Sequence, residues 1–392
     1  MSTPLTILHV GKFYPPAPGG MEKVVQLLCE SERKQGLDSR VLVANTAPRT
    51  VHESLHGVPV TRVAAFGAIG SVGICPGFPL AIGQTARDLT VIHEPNPVAL
   101  VSDWITWQRG PLVVWFHSEV LRPQWKYRLM YRPFLRRVLE RAARIVVSSP
   151  DLATHAAELQ PFRDKCVAIP FGIDRTRLDA TPDVVRRAAE LRSSVSGPRL
   201  LFVGRLVPYK GVDMLLRAMA GVDATAWLIG DGPMRQRLEA EAARLKVADR
   251  VRFLGPLSDG EVVAHLHACD VFVLPSVTHA ETFGMVQLEA MTCGKPVVST
   301  NVRSGVPWVN RHDETGIVVE PGDADALARA LNRLTQDATL RERMGKAGQA
   351  RVMRDFTLEA MASSTAALYR EIVAPAPASA QRRSVAAADA DR

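Results

Sequence analysis

Short apolar runs recur along the chain, each stopped by glycine, proline or a polar cluster. TILHV (6–10), RVLVA (40–44), PVTRV (59–63), LTVIHE (89–94), LVVWFH (112–117), RIVVSS (144–149) and CVAIP (166–170) read as strands. Between them lie stretches with helical spacing, such as MEKVVQLLCESERKQG, which ends at Gly36. A polar helical segment, Thr181–Gly197, with Thr181 as cap and Pro182 at its first position, leads to a second series. There LLFVG, TAWLI, VRFLG, VFVLP (271–275), VVST (297–300) and GIVVEP (316–321) are strands. Helices are expected after LLFVG, TAWLI, VRFLG and VFVLP, the third with Ser258 and Glu261 at capping-box spacing. Further helices are expected from about Ala324 and Leu340, and from Leu358 to Val373. Strand and helix alternating twice over predicts two doubly wound parallel sheets, an α/β fold. Ala64–Gln84, rich in Gly and Pro, reads as a loop region, and the Ala/Pro-rich tail 374–392 reads as disordered.

Chemistry concentrates in Pro275–Val302, PSVTHAETFGMVQLEAMTCGKPVVSTNV. The pattern predicts a strand end, a polar loop, and a helix from about Phe283 to Cys293 closed by Gly294. Ligands of open parallel sheets sit beyond the carboxyl ends of strands, where this loop lies. Free amides at Thr282, Phe283, Gly284, Met285 and Val286 can receive a phosphate, with Gly284 allowing close approach. Glu281 and Glu289, eight residues apart, can accept hydrogen bonds from sugar hydroxyls, or are solvated surface charges of an ordinary helix. In GRLVPYKG, Arg205 can fork onto a diphosphate and Lys210 adds a point charge, with Gly204 beside them; a basic pair in a loop is also common surface decoration. His117 stands at a strand end as a reacting group or a polar cap, and His93 and Glu94 end the neighbouring strand. Gly19 and Gly20 open a helix after the first strand, a phosphate-compatible turn or merely a turn, with Lys12 and Tyr14 nearby. Asp231 sits in the GDGP turn, which it can simply hold.

These motifs resemble those of the GT-B glycosyltransferases of family 4. The E-x7-E frame, FG before the helix and GKPVV after it carry the resemblance, which covers nearly the whole chain and is tightest from Gly204 to Gly322. It implies two Rossmann-like domains facing across a cleft: 1–178 binding acceptor and 179–354 binding nucleotide sugar, with a helix at about 355–373 returning to the first. It implies that Glu281 meets the donor sugar, Glu289 the ribose, and Arg205 and Lys210 the diphosphate and leaving group. His117 would contact the sugar near the reacting carbon, Gly19 and Gly20 would edge the cleft, and Asp231 would lie near the base. His93 and Glu94 are placed on the acceptor side. The implied reaction retains anomeric configuration. NVRSG at 301–305 departs from the family's Gly-rich stretch, so the sugar pocket is expected to differ.

The loops HSEVLRPQWKYR and SGVPWVNRHDETG resemble enzymes building lipopolysaccharide or exopolysaccharide on lipid diphosphates, which favours GDP-mannose as donor and a lipid-linked or glycan acceptor. A UDP-sugar remains the alternative, because the base-side turn does not distinguish guanine from uracil. A phosphorylase-like enzyme shares the architecture, but no lysine context for pyridoxal phosphate is present.

Composition narrows this further. With 392 residues, 47% apolar and 22% charged, the chain supports two globular domains. A net charge of +8 and pI near 9.5 favour anionic partners. No recognition motif or basic aromatic platform for nucleic acid accompanies that charge, so nucleic acid is not an expected partner. Five scattered cysteines without CxxC fit a reducing cytosol, with neither zinc site nor disulfide framework. No metal or cofactor is expected, since neither Asp323–Asp325 nor Asp389–Asp391 follows a strand as a metal-binding DxD does. Met1–Pro4 lacks a basic signal region, and no apolar run has the length of a membrane span. Leu121–Arg144 carries eight basic residues against Glu140, with Trp125, Tyr127, Tyr131 and Phe134 interleaved. It reads either as a charged crossover helix, with Pro133 splitting it, or as a dock for an anionic membrane surface. The expected location is cytoplasmic, peripheral at the inner face of the cell membrane.

Overall fold

Every apolar run named above forms a strand in the structure, a computed structural model that describes residues 4–374 apart from 18, 70–71, 107–109 and 120–123. The expected disordered tail therefore lies, beyond Ala374, outside the described residues, as do Leu121, Arg122 and Pro123 of the basic segment. The strands are β1 (Thr6–Val10), β2 (Asp38–Ala44), β3 (Val51–Leu55), β4 (Val58–Val63), β5 (Ala68–Ile69), β6 (Val72–Gly73), β7 (Leu89–Glu94), β8 (Leu112–Phe116), β9 (Arg144–Val147) and β10 (Cys166–Ala168). The second series comprises β11 (Arg199–Val203), β12 (Thr225–Ile229), β13 (Val251–Gly255), β14 (Val271–Leu274), β15 (Val297–Thr300) and β16 (Gly316–Val319). An eight-stranded sheet runs β10-β9-β8-β7-β1-β2-β4-β3, and a six-stranded sheet runs β13-β12-β11-β14-β15-β16. All pairs are parallel except β3 with β4 and the small hairpin β5–β6. The central strand β7 is buried along its whole length, as a parallel strand covered on both faces must be.

Four features differ from expectation. β3 is an edge strand whose residues alternate between half-buried and exposed, so no apolar run marks it. It turns into β4 through His56 and Gly57, both at positive φ (49° and 80°), as a two-residue hairpin requires. The hairpin β5–β6 and a helix at Phe78–Gln84 occupy the stretch read as loop. The helix expected from Phe283 begins at Met285, because Gly284 takes a left-handed conformation (φ 71°) just before it. A Cβ there would lie 2.7 Å from Leu274 Cδ2, so only glycine fits the turn.

The last helix, Leu358–Val373, packs against the first helix, Gly20–Lys34, on the eight-stranded sheet. Trp115 Nε1 donates to Tyr369 Oη (3.1 Å), and Arg370 donates to Gln35 O (3.0 Å). A chain of rings links the two sheets. Phe171 stacks on His117 (5.5 Å) and meets Phe283 edge-on (5.0 Å), and Phe283 meets Phe356 (6.0 Å). Burying each phenylalanine contributes on the order of 2 kcal/mol.

Candidate active site

The parallel strands of each sheet reverse their order once, between β1 and β7 in the first and between β11 and β14 in the second. Loops leaving the carboxyl ends of such strands flank a crevice. Here the crevices of both sheets open on one cavity of about 480 Å³. The first sheet contributes Gly20, Met21, Glu22 and Val24 after β1, Pro95 after β7, and His117 and Ser118 after β8. Arg205, Tyr209 and Lys210 follow β11, and Ala280 to Val286 follow β14.

On the six-stranded side the two loops are locked together. Val277 N donates to Tyr209 O (2.9 Å). Gly211 has φ 65°, and a Cβ on it would fall 2.0 Å from Pro275 O. Lys210 Nζ meets Glu281 Oε2 at 2.5 Å with both side chains about nine-tenths buried, and Ser276 Oγ donates to the same oxygen (3.2 Å). Arg205 is exposed on the cavity wall with no hydrogen-bond or ion-pair partner among the described residues. The glutamate-bearing helix, Met285–Thr292, opens onto the cavity with the amides of Met285 and Val286, which precede its first closed turn. An anion entering here meets a free guanidinium, two helix amides and a lysine whose partner it can replace.

Glu289 does not line this cavity. It is half-buried on the helix, its carboxyl pushed up by burial and held down partly by Arg177. Gly204 and Asp231 also lie outside the lining. The Asp231 carboxylate accepts from Gly232 N (2.8 Å) and so holds its own turn. Asp323 caps its helix by accepting from Ala326 N (2.8 Å), and Asp389–Asp391 lies outside the described residues.

On the eight-stranded side, the helix start read as phosphate-compatible already holds an acid. A Cβ on Gly19 would sit 1.9 Å from Glu22 Oε2. Burial pushes the Glu22 carboxyl up, opposed by its own backbone amide and Lys12. Tyr14 is fully buried among Val25, Cys29 and Val41, away from the cavity. His117 is present as expected, with burial pushing its imidazole down to about 3, so it is neutral.

His93 and Glu94, expected on the acceptor side, are both buried in β7, and neither lines this cavity. The His93 ring is stacked between those of His9 and His117 (5.3 and 5.2 Å). Glu94 accepts from Tyr131 Oη and from Asn96 N (3.1 Å), and burial raises its carboxyl to about 7. Glu22, Ser118, Tyr209 and Phe171 line the cavity without having been read from the sequence. An acid three residues into a Gly-Gly helix start was the available signal for Glu22. Among the described residues, His9, Cys29 and Glu32 form a buried group with ligand-type atoms within 4.8 Å of one another, although His9 and Glu32 are already hydrogen-bonded together.

Comparison with known proteins places the chain among glycosyltransferases. Residues 187–351 match the family described as "Glycosyl transferases group 1", and residues 19–172 match "Glycosyl transferase 4-like domain". The chain is 33% identical over 361 residues to the D-rhamnosyltransferase WbpZ of Pseudomonas aeruginosa, covering 90% of this chain and 92% of that protein. It is 27% identical to the O-antigen chain mannosyltransferase C of Escherichia coli over 94% of this chain and 99% of that protein. Among solved structures, sucrose-phosphate synthase from Thermosynechococcus elongatus superposes with a TM-score of 0.79 at 25% identity, covering 94% of this chain and 99% of that one.

Proposed function

The chain belongs to the group 1 glycosyltransferases, family-4 enzymes of the GT-B fold, and from that premise we propose a donor, an acceptor and a mechanism. It transfers mannose with retention from GDP-mannose to a lipid-linked or glycan acceptor in cell-surface polysaccharide synthesis. The observation that carries this reading is the meeting of Arg205, the Lys210–Glu281 pair and the helix start at Met285 in one cavity. Mannose as the sugar is supported by the O-antigen chain mannosyltransferase relative.

In the proposed reaction the β-phosphate departs from an oxocarbenium-like sugar, and negative charge grows on its oxygens. Arg205, Lys210 and the amides of Met285 and Val286 stabilise that charge from fixed positions. Glu281 then holds a donor-sugar hydroxyl. Glu289 holds the ribose, and Gly204 and Asp231 border the nucleotide. The acceptor attacks from the face the phosphate leaves, and its hydroxyl proton passes to a phosphate oxygen. Arg205 and Lys210 supply the counter-charge that a divalent metal provides elsewhere, so the reaction is metal-independent. The division at 178–179 assigns donor binding to the second half and acceptor binding to the first.

Among the described residues no helix is long and apolar enough to cross a membrane. The acceptor side is proposed to dock peripherally on the anionic inner face. Trp104, Ile105, Trp125, Leu129 and Met130 are exposed beside exposed Arg128, Arg132 and Arg136, the helices joined by Trp104 packing edge-on to Phe134 (5.6 Å). Apolar and cationic groups together suit a headgroup interface. Melting the protein with a panel of sugar nucleotides tests the donor. GDP-mannose is expected to give the largest rise. A larger rise with a UDP-sugar moves the donor to that class, and no rise with any of them removes the reading of the cavity.

A further inference from the structure

Behind His117 a row of polar side chains runs from the cavity wall into the core. His117 Nε2 lies 3.0 Å from His93 Nδ1, His93 Nε2 lies 3.0 Å from His9 Nδ1, and His9 Nε2 lies 2.8 Å from Glu32 Oε2. Ser39 Oγ donates to the same Glu32 oxygen (2.7 Å). The rings stack at 5.2 and 5.3 Å. Sheet register explains the row. Ser39 pairs with Ile7, His9 with Val91, and His93 with Trp115. Each step to the next strand therefore advances two residues, which keeps the side chain on the same face. The diagonal climbs from β2 through β1 and β7 to the end of β8, where the cavity begins.

Each link holds one hydrogen between two heavy atoms, so the direction of one link sets the next. Glu32, as a carboxylate, has no proton to give, and it accepts from Ser39 and from His9 Nε2–H. The thiol of Cys29 and the hydroxyl of Tyr369 are both raised by burial and by Glu32, and so stay protonated beside it. With its proton on Nε2, facing Glu32, His9 accepts at Nδ1 from His93 Nε2–H. By the same rule His93 accepts at Nδ1 from His117 Nε2–H. Burial lowers the imidazoles of His93 and His117, which keeps both neutral. His117 Nδ1 is left without a proton and without a partner among the described residues, on a side chain that lines the cavity.

We propose that Glu32, acting through His9 and His93, fixes His117 as the Nε2–H tautomer, so that its Nδ1 meets the donor sugar as a hydrogen-bond acceptor only. Glu32, His9 and His93 are positioning residues, and they select donors that present a hydroxyl hydrogen at that place. The assignment of the ligand rests on the sugar-nucleotide reading above; the tautomer does not.

The test is a long-range proton–nitrogen correlation spectrum of the full chain carrying ¹⁵N-histidine, recorded without donor at neutral pH. Three neutral rings protonated at Nε2 are expected for His9, His93 and His117. A proton on His117 Nδ1, or an imidazolium in the row, overturns the proposal even if sugar nucleotides bind. Glu32→Leu removes the anchor and should give His117 mixed tautomers and a several-fold rise in donor KM, roughly the size of one hydrogen bond, with kcat little changed. Glu32→Gln keeps an acceptor oxygen for Ser39 and His9 and should restore both readouts. A pure Nε2–H signal for His117 in folded Glu32→Leu protein overturns the role of Glu32. Correct tautomers with no donor binding would instead remove the sugar-nucleotide reading alone.

Discussion

On the six-stranded side of the cleft, the groups facing the cavity come from two loops and stand as charges: Arg205, Lys210 and Glu281. On the eight-stranded side His117 reaches the cavity, and its support is a buried row of hydrogen-bonded imidazoles that crosses neighbouring strands and ends on Glu32. The charged side can meet a ligand whose charge changes during reaction. The buried side can only present a fixed pattern of donors and acceptors. On the proposed reading, charge stabilisation and recognition are divided between the halves of one cavity.

Breaking the charged side should have the largest effect. Arg205→Ala is expected to lower kcat by roughly 10² with a smaller change in KM, since its charge meets a group that becomes more negative in the transition state; steady-state kinetics on folded protein checks this. Lys210→Ala should lose activity similarly and also stability, by roughly 3 kcal/mol, because Glu281 is left as a buried unpaired carboxylate. Denaturant titration of Lys210→Ala with and without Glu281→Ala separates the effects. The double variant should regain stability and remain inactive. If Lys210→Ala is as stable as the parent, the pair is not the buried contact described here.

A comparable effect on stability is expected on the buried side, and it depends on pH. Glu94, ordinarily near 4.5, is raised to about 7 by burial. Between those values the folded chain keeps a proton that the unfolded chain has released. The contribution of Glu94 to stability therefore falls as pH rises through this window. Glu94→Gln, which keeps an acceptor for Tyr131, should gain stability relative to the parent as pH rises from 4.5 to about 7, by on the order of 3 kcal/mol. His93 and His117 act oppositely. The unfolded chain protonates them below the ordinary 6.5 while the fold does not, so their contribution falls as pH drops. Denaturant titrations of parent and variant across pH isolate the Glu94 part by difference.

The charged side was largely legible in the sequence and the buried side was not. Arg205, Lys210 and Glu281 each follow an apolar strand within a few residues, so strand–loop order alone placed them at a crevice. His93 and Glu94 instead lie within β7 itself and are buried with it, whereas Arg205, Lys210 and Glu281 lie in the loops beyond β11 and β14. The exact point at which a strand gives way to its loop, which local pattern does not fix, decided the difference. His9 and Glu32 carry no local mark, one lying in a strand run and the other among the charges of a helix. The available signal was a histidine near the end of each of TILHV, LTVIHE and LVVWFH, with a spacing that parallel register aligns. β3 escaped because an edge strand with alternating exposure has no continuous apolar run.

Smaller effects sharpen the contrast. Changing Arg128, Arg132 and Arg136 together to Gln should reduce binding to anionic vesicles and its salt sensitivity while leaving soluble-donor binding unchanged, since these exposed cations lie outside the cavity. Unaltered vesicle binding by the folded triple variant would make the basic segment a structural helix. A chelator should change activity least of all, and loss restored by magnesium or manganese would show that the cations do not suffice.

The central claim is that the free guanidinium of Arg205 and the Lys210 beside it receive the diphosphate. Titration calorimetry of GDP-mannose into the parent and into folded Arg205→Ala tests it most directly. The parent should bind with an affinity that falls as salt is raised, and Arg205→Ala should bind about tenfold more weakly or worse. Equal affinity in the two proteins would contradict the account and place the diphosphate elsewhere.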